Sequence, residues 1–423
     1  MRVLHTSDWH LGKTLYNVSR AEDHDTVLAE IIDIAHREKP HLIVHSGDLF
    51  DHAVPSYADV VKANRVLDEL AATAPVVVIC GNHDSPGLFQ VYQSLKGPHS
   101  RVHFIDAPRD PDRGGVLHFP GPDDVTLRLA VLPFVHANRA INAFDDTHNW
   151  RASYAERIGR YERALAEELF RDFDAGRDIA MFAAHLYVGG AQFARSERPV
   201  HTSDYYATQA EDLPAVSYAA FGHIHKPQPL PHTQVTGNYA GSPIPLDFGE
   251  IDERKSIVLA DVRPGQPTHV ELRPLSGGRP LRQFDGTLDD LRTIASSVGR
   301  ALCLLNVRTP TYDPDLSEKV RDLLPDATIL GDVNQQCADQ QVDIVRPTTI
   351  AAQDAEPDMR ELFREYLAQN MKTTTVAADT LIDTFGLILN SVEEERTVCF
   401  PEETLLHNPP EIATPASAPE VAR

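Results

Sequence analysis

Five apolar runs in this chain each end on a cluster of Asp, Asn or His: RVLHTSDWH at 2–10, HLIVHSGD at 41–48, VVVICGNHD at 76–84, IAMFAAH at 179–185 and YAAFGHIH at 218–225. In an open α/β sheet the carboxyl ends of neighbouring strands face one crevice, so residues distant in sequence but each just past a strand end can converge there. Carboxylate, amide and imidazole donors gathered in that way predict a two-metal site. The chemistry such a site performs is hydrolysis of a phosphate ester.

The order of elements supports the strand reading. Residues 1–80 alternate strand and helix patterns: RVLHTS, a helix over about 21–37, HLIVHS, a helix over about 56–70, then PVVVIC, a βαβαβ start. The runs at 41–46 and 75–80 are nearly continuous in apolar residues, as expected of strands covered by helices on both sides, so a layered α/β sandwich follows. A polar, Arg- and Glu-rich stretch from 138 to 173 reads as a helical excursion, and strand character resumes at DIAMFAAH, VSYAAFGH and SIVLADV. The main domain is expected over 1–265. A smaller α/β unit is expected over 271–350, with a strand at 279–284, helix 288–298, strand ALCLLNV, helix 316–324 and strand ATIL. Two amphipathic helices are expected over 356–396, and a Pro- and Ala-rich tail from 407 to 423 reads as disordered.

Within the clusters, alternate positions place the carboxylate of Asp8 and the imidazole of His10 near each other. The D-x-H pattern alone is weak, for it recurs at Asp146 and His148 with no strand before it. Gly47 permits a sharp turn, after which Asp48 has two oxygens with which to bridge two cations. Gly81-Asn82-His83-Asp84 is the most specific string: Asn82 offers a neutral oxygen, His83 reads as a proton donor or transition-state stabiliser, and Asp84 is expected to accept its other N–H. His185, His223 and His225 supply further nitrogens. A single Asp, Asn or His at a strand end is ordinarily a turn former or cap, and only the coincidence of five makes a shared site the better reading. His5, His24, His36, His45 and His52 take the structural or solvated reading, and Asp51 reads either as an acceptor behind a ligand or as a helix cap.

Composition narrows the setting. No apolar stretch approaches the roughly 20 residues of a membrane span, and no secretory signal pattern precedes the first strand, so no membrane association and a cytoplasmic location are expected. The cysteines, Cys80, Cys303, Cys337 and Cys399, form no C-x-x-C pair, which suits reduced thiols and argues against a Cys-based zinc site. The net charge of −23 opposes a nucleic-acid substrate. Residues 351–423 carry 14 acidic against 5 basic side chains, however, so −9 of that charge sits away from the clusters, and bound dications would reverse the field beside them.

GDLFD, GNHD and GHIH, in this order after SDWHLG, resemble the calcineurin-like metallophosphoesterase superfamily and, more closely, its SbcD-type DNA nucleases. The resemblance implies an α/β/β/α sandwich with a small α/β capping domain and a C-terminal helical pair. It also implies two manganese ions, one held by Asp8, His10, Asp48 and His225, the other by Asp48, Asn82, His185 and His223, with His83 assisting catalysis and Asp84 supporting it. By the same likeness the chain would be an exonuclease and hairpin-opening endonuclease of DNA repair and recombination. It would dimerise through the helices near 56–72 and 86–95 and dock a coiled-coil ATPase, SbcC, on the helices at 356–396, which read otherwise as a helical hairpin closing the chain's own core. No G-x-x-x-x-G-K-[ST] loop occurs in the sequence, so ATP dependence would come from that second polypeptide. Two other readings compete: a phosphatase or nucleotide phosphodiesterase for small molecules, which the acidic charge favours, and a non-catalytic scaffold, which the full set of ligand positions disfavours.

Overall fold

A computed structural model describes residues 1–97, 99–135, 147–194, 196–197 and 207–337, together with Arg364 and Phe385; the side chains of 147–153 and 207 are excepted. Met1–Gln341 form one compact unit and Val342–Arg423 a second. The expected helical pair at 356–396 and the tail from 407 lie outside the described residues.

The first unit opens with β1 (Arg2–Thr6), α1 (Ala21–Glu38), β2 (Leu42–His45), α2 (Tyr57–Thr73), β3 (Val76–Ile79), α3 (Pro86–Lys96) and β4 (Val102–Ile105). It continues with β5 (Val116–Pro120), β6 (Thr126–Leu132), α4 (Thr147–Leu169), β7 (Asp178–His185), β8 (Tyr218–Gly222), β9 (Gln228–Pro229), β10 (Gly237–Tyr239), β11 (Ser256–Asp261) and β12 (His269–Pro274). Two 6-stranded sheets result, in the orders β12-β11-β1-β2-β3-β4 and β9-β10-β8-β7-β6-β5. The strands that carry the clusters are parallel neighbours within each sheet: β1 beside β2 and β2 beside β3 in the first, β7 beside β8 in the second.

Strand alternation sorts the apolar side chains into layers. Val3, Leu42, Val44, Val77 and Ile79 of the first sheet meet Ile179, Met181, Ala183, Tyr218 and Ala220 of the second in one core between the sheets. The intervening Leu4, Ile43, Val76 and Val78 pack under α1, α2 and α3, and Ala180, Phe182, Ala219 and Phe221 pack under α4. The architecture is therefore α/β/β/α, with cluster-bearing strands buried on both faces, which is why they read as unbroken apolar runs. The helices start where local chemistry dictates: Ser56 caps α2 by accepting the Asp59 N–H, and Ser85 caps α3 ahead of Pro86.

Main-sheet pairing runs on to Pro274, so this layer extends past the expected boundary at 265. After it come β13 (Leu281–Thr287), α5 (Leu288–Val298), β14 (Leu302–Thr309), α6 (Leu316–Leu323), β15 (Thr328–Ile329) and β16 (Asn334–Cys337). They form a parallel sheet over their own core, which includes Leu291, Val298, Leu305, Val307 and Val320. A polar strap joins this layer to α1: Arg279 pairs with Asp23 at 2.9 Å, and Glu30 accepts the N–H groups of Ser276 and Gly277 at 2.9 and 2.8 Å. Among the described residues, no helix is long and apolar enough to cross a membrane.

One buried carboxyl in α4 stands apart. Glu162 is fully buried with neither carboxyl oxygen hydrogen-bonded, and burial, reinforced by Asp212, pushes its carboxyl up to about 8. An unfolded chain releases this proton near 4.5, so between about 4.5 and about 8 the folded form holds the extra proton and the group's contribution to stability falls as pH rises. Glu162→Gln is expected to match the parent near pH 4.5 and to melt higher at pH 8, by on the order of 5 °C. Melting temperatures across that range check it; an unchanged difference between parent and variant at both ends would refute the buried neutral carboxyl.

Candidate metal centre

Each cluster lies just beyond the carboxyl end of its strand, and backbone geometry turns the side chains inward. Asp8, His10 and Asp48 adopt left-handed conformations at φ 51°, 49° and 55°, and His223 sits at φ 96°. Such conformations are uncommon outside glycine, collect at functional sites, and persist only where surrounding contacts enforce them. The contacts are visible. The N–H of Asp8 donates to the Gly47 carbonyl at 2.9 Å and that of His10 to the Asp48 carbonyl at 3.1 Å, tying the first two loops together. Between Asp8 and His10, Trp9 turns the other way, fully buried in the layer under the helices, where its Nε1 donates to Thr6 Oγ1 at 2.8 Å. That anchor fixes which way its neighbours point.

Glycines make room for the rest. A Cβ on Gly47 would collide with the His185 ring, one on Gly81 with the Asp48 carboxylate, and one on Gly222 with the Ser46 carbonyl and the Ser7 hydroxyl. The glycine that opens each of the GD, GNHD and GHIH strings thus permits the close approach that brings the donors together.

All the candidate residues from the sequence meet at one place. Asp8, His10, Asp48 and His225 are buried and present ligand atoms within 4.8 Å of one another. Nε2 of His10 lies 3.1 Å from Nε2 of His225 and 3.6 Å from Asp48 Oδ2. On the other side of Asp48, the same oxygen lies 3.5 Å from His185 Nε2, which is 2.9 Å from Asn82 Oδ1, and that oxygen is 2.8 Å from His223 Nδ1. Donors about 2.1 Å from a shared ion and at right angles to it stand about 3 Å apart, so these separations match a pair of cation cages joined at Asp48. The chemistry of the set agrees: Asp8 Oδ2 is buried with no hydrogen-bond partner, a state that a carboxylate tolerates poorly without a cation.

The electrostatics point the same way. Burial pushes the Asp8 carboxyl up to about 6 against the pull of His185 and His225, with the charge of Asp48 adding to the rise. Burial also opposes ionisation of Asp48, but the imidazoles of His185 and His83 outweigh it and hold that carboxylate ionised.

His83 lies at the rim. Its Nε2 is 4.0 Å from Asp48 Oδ2, its N–H donates to Asp48 Oδ1 at 2.8 Å, and its ring stands edge-on to His10 at 4.6 Å. The expected pairing of its other nitrogen with Asp84 is not what the structure has. His83 Nδ1 faces the Asp51 carbonyl at 2.8 Å, while the Asp84 carboxylate accepts the N–H groups of Gly81, Leu49 and Phe50 at 2.9, 3.1 and 2.9 Å. The loops after β2 and β3 leave those N–H groups without strand partners, and Asp84 satisfies them, so it shapes the turns that carry Asp48 and Asn82. Burial and the charge of Asp48 push its carboxyl up to about 7 in spite of those bonds.

Asp51 resolves toward one of its two readings. Ser56 caps α2, whereas the Asp51 carboxylate lies 3.2 Å from His10 Nδ1, behind the nitrogen that faces the cluster. His185 Nδ1 is backed by the Ser46 carbonyl at 2.8 Å. Sequence reasoning missed the groups that back His225, namely Ser196, Glu197, Glu250 and Lys255, which come from loops with no apolar run to mark them. It also missed Phe134, stacked on His223 at 5.7 Å. His5 is a core residue bonded to Tyr218 and Ser46, and His24 to the Trp9 carbonyl.

Comparison with known proteins adds a lineage to this geometry. Residues 1–227 match the calcineurin-like phosphoesterase family model. The SbcD subunit of the nuclease SbcCD from Bacillus subtilis is 32% identical over 291 residues, covering 66% of this chain and 71% of that one. Its namesake from Escherichia coli K12 is 27% identical over 296 residues, covering 68% and 72%. A dimetal phosphatase of known structure from Danio rerio covers 65% of this chain and 96% of its own, at 11% identity and a TM-score of 0.37. The chain belongs to the calcineurin-like phosphoesterases and, within them, to the family of the SbcD nuclease subunits.

Proposed function

We propose that this protein is the metal-dependent nuclease subunit of an SbcCD-like complex and hydrolyses phosphodiesters of DNA, with Asp8, His10, Asp48 and His225 holding one divalent ion and Asp48, Asn82, His185 and His223 the other. What supports the reading is that Asp8, His10, Asp48 and His225 present buried ligand atoms within 4.8 Å of one another, while His185, Asn82 and His223 adjoin Asp48 on its other side, so that side chains from five strand ends meet. Carboxylate, amide and imidazole donors together suit Mn²⁺, the metal assigned here. When bound, a pair of such ions supplies charge for the scissile phosphate and lowers the pKa of the attacking water.

The chain's own residues do the positioning. Asp48 sets the separation of the two half-sites, Phe134 walls the His223 ring, and Asp84 fixes the turns. The hydrogen bond from His83 Nδ1 to the Asp51 carbonyl fixes the ring so that Nε2 faces the reacting phosphate. Protonated at Nε2, His83 gives that proton to the leaving oxygen while Nδ1–H stays on the carbonyl. The partner ATPase is assigned to the segment 356–396, on sequence pattern alone. Dimerisation is assigned to α2, α3 and the loop before α2, which leave Val54, Tyr57, Val61 and Leu95 exposed at 90%, 92%, 67% and 79%.

Purified protein with Mn²⁺ is expected to cleave linear duplex and hairpin DNA, with duplex degradation depending on the added ATPase subunit and ATP. Hydrolysis of a small phosphodiester alone, with DNA untouched under every condition, would leave the small-molecule phosphodiesterase standing instead, the reading that the charge of −23 favours. Asp48→Ala should strip both ions, read as metal per chain by elemental analysis. His83→Ala should keep them and lower kcat by about 10²- to 10⁴-fold; loss of metal in His83→Ala would overturn the division of roles. Tyr57→Glu combined with Leu95→Glu should convert a dimer to a monomer by light scattering, and a monomeric parent at micromolar concentration would remove the dimer.

A further inference from the structure

The small α/β layer reaches toward the metal centre through a buried ion triad. Its strap residue Arg279 closes on Asp23 at three points: the backbone N–H donates to Oδ1 at 2.7 Å, Nε to the same oxygen at 2.9 Å and Nη2 to Oδ2 at 2.9 Å. A second guanidinium holds that carboxylate from the other side, for Arg20 Nε donates to Asp23 Oδ2 at 2.6 Å. Both Asp23 and Arg20 are buried. Arg20 sits where three segments meet: its N–H donates to the Lys13 carbonyl at 3.0 Å and closes the loop that follows His10, its carbonyl accepts the His24 N–H in the first turn of α1, and its Nη1 donates to the Pro245 carbonyl at 2.7 Å. Pro245 begins the turn that stands behind His225. Leu246 donates its N–H to Glu250 Oε2 at 3.1 Å, Glu250 Oε1 accepts the Ser196 hydroxyl, and the oxygen of that hydroxyl meets His225 Nδ1. Lys255 Nζ completes the arrangement, 2.6 Å from Glu250 Oε2 and donating to the His225 carbonyl at 3.0 Å. The same turn has an apolar tie to the small layer, because Phe248 and Ile251 pack against the cluster of Leu281, Leu302 and Leu330.

Stability alone does not account for the triad, since apolar side chains of similar volume usually serve as well as a buried ion pair or better. What buried charges supply is register, and the register at stake here is that of the 245–251 turn against α1. Arg20 Nη2 is buried with no hydrogen-bond partner, so the guanidinium takes its orientation from Asp23 and the Pro245 carbonyl. Arg279 occupies the rest of the Asp23 carboxylate and thereby fixes the edge that Asp23 turns to Arg20. We infer that Arg279, acting through Asp23 and Arg20, is a positioning residue for His225, so that the small α/β layer helps to set the geometry of the metal centre. This rests on the ligand assignment of the proposed function and extends it to residues away from the strand ends. Seating of the small layer and binding of cations then act on each other by the same factor.

The test titrates full-length protein, stripped with chelator, with Mn²⁺ alone, following free and bound Mn²⁺ by electron paramagnetic resonance. Arg279→Ala should weaken binding about 2- to 30-fold and alter the spectrum of the bound ion. Arg308→Ala removes the same charge from the same layer, at an exposed pair with Asp285 3.3 Å away, and should leave affinity and spectrum as in the parent. A double-mutant cycle joins the two ends of the relay: Glu250→Gln should weaken binding by itself, and Arg279→Ala added to it should cost less than about twofold more, because the turn has already lost its hold on His225. Where a melting curve shows that a variant does not fold, Ser196→Ala replaces Glu250→Gln and Arg279→Lys replaces Arg279→Ala; the lysine keeps the charge and loses the forked contact. Unchanged Mn²⁺ binding in the folded Arg279 variant, an equal loss in Arg308→Ala, or losses in the cycle that simply multiply would overturn the inference. Mn²⁺ binding by Asp48→Ala as tight as that of the parent would instead overturn the ligand assignment beneath it.

Discussion

A carboxylate buried without a guanidinium or ammonium beside it is the constraint on which the rest of this structure turns. Asp48 is 1% exposed, and three imidazoles, those of His10, His185 and His83, stand within 4.0 Å of its Oδ2. Burying an ionised carboxylate costs several kcal/mol unless charge or hydrogen bonds repay it, and Asp8 adds a second one with an oxygen left unpartnered. The surrounding backbone is arranged to maintain that cost. Left-handed residues at Asp8, His10 and Asp48, glycines at 47, 81 and 222, and the N–H groups gathered by Asp84 all serve one geometry. The fold tolerates this concentration of strain and charge because the strands beneath it are anchored by apolar layers on both faces.

The sequence showed the site more fully than it showed the fold around it. Donors placed at strand ends report their own position, since the apolar run marks the strand and the polar string marks its end. The second sheet was harder to read: β5 and β10 are short, and β5, at the sheet's edge, mixes polar and apolar residues, so no unbroken run marks it. β12 was missed as part of the main sheet for the same reason, its burial alternating along an exposed edge. Propensity carries little information where a strand packs on one side only.

Supporting contacts were the least legible layer. Asp84 follows His83 directly, which suggests a pair, yet adjacent residues on a tight turn point apart, and the unpaired backbone donors of the turn claim the carboxylate first. Glu250 lies 25 residues beyond His225 in a loop without periodicity, and nothing in its neighbours marks it as different from other acidic residues of the chain. Its role depends on Ser196 lying between Glu250 and His225, which a linear pattern does not encode. Asp51 fell between these cases: its spacing from Asp48 was noticed, but a cap and an imidazole partner place the same residue type at the same spacing.

The site also explains why two separate sheets behave as one sandwich. The first sheet supplies Asp8, His10, Asp48 and Asn82, the second His185, His223 and His225, so neither can form a cage alone. Polar bonds already cross the seam at this end: His223 N–H donates to Asp8 Oδ1 at 3.1 Å, and His185 Nδ1 meets the Ser46 carbonyl at 2.8 Å. Farther down, the same seam is apolar, with Val44 and Val77 against Met181 and Ala183. Ligands that bind only the folded state add stability in proportion to the logarithm of their concentration over Kd. Cations held between the sheets would therefore tighten the end of the seam that apolar packing leaves polar, and a loosening of the inter-sheet core would be felt first as a change in donor spacing. Stability and metal binding would be joined in this molecule because the candidate ligands sit on the line where its two sheets meet.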